Sequence, residues 1–118
     1  MSAQPIEPPP PTPITSAREA RLAVESMLDS LPELPAPTMV VRPGIVHVTV
    51  ASVEDLGAWL YALGGEVRRG IPLDDVSVWT LRTETPQRGD GSTVAIRVHC
   101  PVVAGEIVPT AFRPAVVL

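Results

Sequence analysis

Two histidines, one cysteine and a handful of carboxylates are the residues with which this chain could do chemistry. His47 lies in the run Ile45 to Val50 and His99 in the run Thr93 to Val102, and both runs alternate as strands do. Val46, Val48 and Val50 take one face of the first. Val94, Ile96, Val98 and Cys100 take one face of the second, against Ala95, Arg97 and His99. Each histidine therefore stands opposite the residues assigned to the core, and the two imidazoles can project from one face of a sheet. Two imidazoles are half of a structural zinc site, which wants four ligands. Asp55 and Glu84 would complete the set only through an arrangement in space. The reading from sequence is two surface histidines with no metal and no cofactor; a metal pair formed by His47 and His99 is the alternative.

Cys100 follows His99 directly, and neighbours on a strand point to opposite faces, so the two are not placed as nucleophile and base. Aligned with Val94, Ile96 and Val98, Cys100 reads as a buried small hydrophobe. No GxSxG motif is present, and Ser16 and Ser52 are accounted for as helix caps. Asp74-Asp75, with Arg68-Arg69 near enough to neutralise them, reads as a solvated turn, and Arg88-Gly89-Asp90 as a polar hairpin turn. No catalytic residue is assigned.

The elements that must position these residues follow from periodicity and punctuation. Residues 1–15 hold Pro5, Pro8 to Pro11 and Pro13, which favour an extended, disordered tail. Ser16 and Glu19 have capping-box spacing and open an amphipathic helix over residues 16–31, with Ala20, Ala23, Val24, Met27, Leu28 and Leu31 on one face. Pro32 ends it, and residues 32–37 form a stiff linker that would let the helix sit apart or pack across the rest. An α+β domain spans 38–103. It begins with strands Thr38 to Arg42 and Ile45 to Val50 about the Pro43-Gly44 turn. Ser52 caps a second helix, whose stripe is Val53, Leu56, Trp59, Leu60 and Leu63, stopped by Gly64-Gly65. After a loop over Arg68 to Asp75, strands Val76 to Thr85 and Thr93 to Val102 form a hairpin. A strand, a short turn and an apolar helix imply a crossover to a parallel strand. The expected fold is a mixed sheet of about four strands, ββαββ, with one helix packed on a face and the N-terminal helix besides. Residues 104–118 read as an irregular or edge segment.

Composition sets the outer limits. With the proline-rich tail set aside, roughly 80–90 residues are left to fold, enough for one small core that buries about 60–65% of the unfolded surface. Help from a second copy or another protein follows as an expectation. All nine basic residues are arginine, and neither lysine nor asparagine occurs. The net charge of −4 disfavours nucleic acid as a partner. A DNA-binding regulator using Arg68, Arg69 and Arg88 is the weakest alternative. The lone Cys100, the absence of a leader-like N-terminus and the lack of an apolar run of about 20 residues together read as cytoplasmic, away from membranes.

Trp79 stands mid-strand in a chain that is 3% aromatic. Its strand can turn either Val76 and Val78 or Trp79 and Leu81 toward the helix. In the first case Trp79 and Leu81 join His47, Arg97 and His99 on the outer face as an aromatic-centred interaction surface; in the second they are core. Tyr61 lies off the stripe of the second helix beside Gly57 and Ala58, a small-residue face that could also seat a partner.

The order strand, helix, strands, with VHVTV leading into SVEDLGAWLYALGGEV, resembles one βαβββ module of the vicinal-oxygen-chelate families over roughly residues 45–102. The resemblance implies metal ligands on the first and last strands, at His47 and His99, and a dimer to complete an active site. The helix is short, and the family's usual glutamate on the last strand is absent. The chain also resembles small proteins of GC-rich bacteria or their mobile elements, a likeness that implies no activity. The reading adopted from sequence is a self-associating, non-enzymatic interaction or regulatory module, with the dimeric metal-dependent enzyme as its alternative.

Overall fold

The computed structural model describes residues 16–89, 91–106 and 108; the proline-rich tail expected over 1–15 and most of the segment expected over 104–118 lie outside the described residues. Two helices and five strands follow in the order α1 (Ala17–Ser30), β1 (Thr38–Arg42), β2 (Ile45–Thr49), α2 (Val53–Leu63), β3 (Glu66–Arg69), β4 (Val76–Glu84) and β5 (Ala95–Val103). The helix starts are those dictated by the caps: the Glu19 amide donates to Ser16 Oγ at 3.4 Å and the Asp55 amide to Ser52 Oγ at 3.2 Å. Gly64, at φ 71°, closes α2 with its amide on the Leu60 carbonyl.

The strands form one mixed sheet in the order β1-β2-β5-β4-β3. β2 and β5 run parallel, and every other neighbouring pair is antiparallel. The parallel partner that β2 and α2 demand therefore exists, but it is the last strand and not the next one. After α2 the chain goes to the far edge as β3, returns as β4, and lays β5 into the gap beside β2.

The sheet has five strands where about four were expected, because Glu66–Arg69, given no strand from sequence and read as loop from Arg68 on, pairs with Trp79 to Arg82. Three of its four residues are charged, which masks a strand signal carried by Val67 alone. Helix packing is also fuller than expected, since both helices share one face: α1 lies over β1 and β2, and α2 over β4 and β5. Ala20, Ala23 and Val24 of α1 join Leu56 and Trp59 of α2 in a single core with Val46, Val48, Ile96, Val98 and Cys100. The linker belongs to that core. Leu34 is buried, and the Trp59 indole Nε1–H donates to the Pro35 carbonyl at 2.8 Å, tying α2 to the segment that follows α1.

β4 settles the ambiguity at Trp79. Ser77, Trp79, Leu81 and Thr83 face the helices, while Val76, Val78, Arg82 and Glu84 face away. Trp79, 7% exposed, and Leu81, fully buried, are core residues, which removes both from the expected outer surface. The cause lies in the period of two: turning Val76 and Val78 inward would have turned Arg82 and Glu84 inward as well.

Candidate functional site

Because both helices cover one side, the other side of the sheet is bare among the described residues, and pairing register brings its side chains into rows. One row crosses all five strands as Val40, His47, Arg97, Arg82 and Glu66. The next reads Thr38, Thr49, His99, Thr80 and Arg68. Toward one end of β4 and β5 the pairs become apolar, Val78 with Pro101 and Val76 with Val103. Val78 is 46% exposed and Val103 54%.

His47 and His99, 52 positions apart, meet at the centre of this face. His47 Nδ1 and His99 Nε2 share a hydrogen bond of 3.0 Å, and His99 Nδ1 shares another, of 2.9 Å, with Thr80 Oγ1. The chain of three groups has two proton arrangements. If Thr80 donates to His99, then His99 donates to His47; if Thr80 accepts, His47 donates and presents a bare Nε2 to solvent. Two imidazolium rings would set N–H against N–H at that contact. The His99 pKa is lowered from its ordinary value, first by burial and then by the charges of His47 and Arg97.

As a metal site the pair is incomplete. No group of three or more His, Cys, Asp or Glu side chains with metal-holding geometry occurs among the described residues, and each ring already spends a nitrogen on the other. Asp55, at the start of α2, is on the helix-covered side, away from the histidines. Glu84 is outward but two rows from His99 along the strands.

The remaining sequence candidates scatter. Arg97 does join the histidines, opposite His47 in register. Tyr61 is 95% exposed on α2 and so belongs to the opposite side of the molecule. Arg68 is outward and ion-paired with Glu66 at 3.3 Å, whereas Arg69 points to the helix side with its guanidinium 6.0 Å from the Trp79 ring centroid. Arg88 lies in the β4–β5 hairpin, so the three arginines of the DNA reading share no face. Asp90 of the hairpin tripeptide lies outside the described residues. Cys100 is fully buried, and burial, with Glu106 and Asp55 adding to it, pushes its thiol up to about 11, so it is no nucleophile.

Two participants were missed from sequence. Thr80 and Arg82 share β4 parity with Val76 and Val78, so the placement of Arg82 and Glu84 on solvent was the signal that would have found both. Comparison with protein-family models, with curated proteins and with solved structures yields no match to this chain.

Proposed function

We propose that this chain is a non-enzymatic protein-interaction module that docks a partner protein on the open face of its sheet. One observation carries the reading: both helices pack on a single side, leaving the other with half-exposed Val40, Val76, Val78 and Val103 around the His47–His99–Thr80 chain. A small sheet that leaves valines half in water on a whole face has apolar surface to offer an interface. The polar groups at its centre supply register, since a partner must satisfy them to bury them.

Co-purification from cells with surface variants tests this. A partner retained by wild type and by Tyr61→Asp, on the helix side, but lost by Val78→Asp supports the reading, provided the melting temperatures match. Retention by Val78→Asp, or equal loss in both variants, refutes it.

A second reading rests on the contact between His47 and His99 itself. If the pair turns both lone pairs to one point, it supplies two ligands of a metal site that a second copy would have to complete. Near-stoichiometric metal in purified protein, lost in His47→Ala, supports a dimeric metal-dependent enzyme; metal-free wild type rules it out.

A further inference from the structure

The open face is charged differently from the rest of the molecule. Its outward strand positions hold Arg42, Arg68, Arg82 and Arg97 against Glu66 and Glu84, a net of +2, so the remainder of a −4 chain carries −6. Arg82 and Arg97 are directly opposite in the β4–β5 register. Facing like charges on neighbouring strands cost stability. Neither guanidinium forms an ion pair with a described carboxylate: Glu66 is engaged by Arg68, and Glu84, which lines the same shallow cleft of about 440 Å3, lies beyond ion-pair distance of both. Arg97 spends one N–H on the Ile96 carbonyl at 3.2 Å, and the Arg82 side chain, with Glu66 opposite it on β3, makes no hydrogen bond or ion pair among the described residues.

Two guanidinium forks side by side, neither ion-paired among the described residues, next to the imidazoles and with exposed Val78 two rows away along β4, have the chemistry of a carboxylate seat at the edge of an apolar surface. We propose that Arg82 and Arg97 bind an acidic, partly apolar segment of the partner protein; this rests on the docking reading and adds the partner's class. A twofold copy of this chain would set one face of net +2 against another of the same sign, which opposes self-docking through this face. A nucleic-acid strand is opposed by Glu66 and Glu84 within the patch and by the negative charge around it.

The test uses the full chain and a short fluorescent peptide alternating glutamate with leucine, followed by anisotropy at low and physiological salt. The same peptide with glutamine for glutamate and an oligothymidylate of matched charge are the controls. The acidic peptide should bind in a salt-sensitive way, better than either control. The double variant Arg82→Gln/Arg97→Gln should weaken it about tenfold or more. Its melting temperature should be unchanged or higher, because a repulsion has been removed; a purely structural role for the arginines predicts a lower one. If the double variant keeps full affinity while Val78→Asp loses it, the face docks proteins and the carboxylate seat is wrong. If both variants keep it, both proposals fall. Absence of peptide binding, or tighter binding of the glutamine peptide or the oligonucleotide, overturns the acidic segment.

Discussion

The imidazoles of His47 and His99 lie nearly parallel, 13° apart with centroids separated by 5.2 Å, and are joined by the 3.0 Å bond between Nδ1 and Nε2. Parallel β2 and β5 set this up. His47 is level with Arg97 and His99 with Thr49, so the histidines are diagonal neighbours whose rings bridge two rows. A diagonal approach suits a long planar side chain.

Burial of His99, with His47 and Arg97 beside it, makes stability depend on pH in a known direction. The folded pKa of His99 lies below the ordinary 6.5, so in the window between them the unfolded chain binds a proton that the folded one does not. Stability from this source is complete above pH 6.5 and is lost as pH falls toward the folded value. Urea unfolding at pH 7.5 and 5.5 should give a smaller free energy at the lower pH for wild type and a reduced difference for His99→Asn. An equal difference in the two proteins would count against the coupling.

Trp59 is fully buried and bonded to the Pro35 carbonyl, so it holds α2 to the linker that follows α1. Trp59→Ala should cost about 3–5 kcal/mol, enough to unfold much of a domain of this size. Trp59→Phe keeps most of the ring and strands the carbonyl, for about 1–3 kcal/mol. Chemical denaturation ranks them; equal stability of Trp59→Phe and wild type would deny the bond any role.

Gly65 leads into β3 at φ +111°, and a Cβ there would strike the Arg82 carbonyl oxygen. Gly65→Ala should destabilise by roughly 1–3 kcal/mol and speed amide exchange at Arg68, whose N–H faces β4 in the ladder that continues to the Gly70–Val78 bond, before it affects β5. Exchange that quickens equally in β3 and β5 would show that β3 does not open separately.

Cys100 should be inert while the fold persists. With its thiol pushed up to about 11, only about 10⁻³ is ionised at pH 8, and burial blocks reagents further. Iodoacetamide should label it at least about 100-fold faster in denaturant than in native protein. Comparable rates would place the thiol near the surface.

Much of the frame was legible locally. Ser16 and Ser52 mark helix starts because their hydroxyls satisfy the first free amides, and Gly64 marks a stop because it tolerates positive φ. Alternation placed His47, Arg97 and His99 on one side and Cys100 on the other. The same rule, carried on to Arg82 and Glu84, would have put Trp79 inside. β3 was not legible, because Glu66, Arg68 and Arg69 give an edge strand the composition of a loop.

The sequence by itself determined the elements from α1 to β5 other than β3 and, through a side-chain period of two, the facing of β2 and β5. Only the tertiary structure decided that β5 lies between β2 and β4, that both helices share one face and that His47, His99 and Thr80 touch. Local patterns specify which way a side chain points within its own strand. The order of strands is chosen by packing and pairing among residues far apart in the chain, where His99 meets His47 from 52 positions away and Arg97 comes to face Arg82.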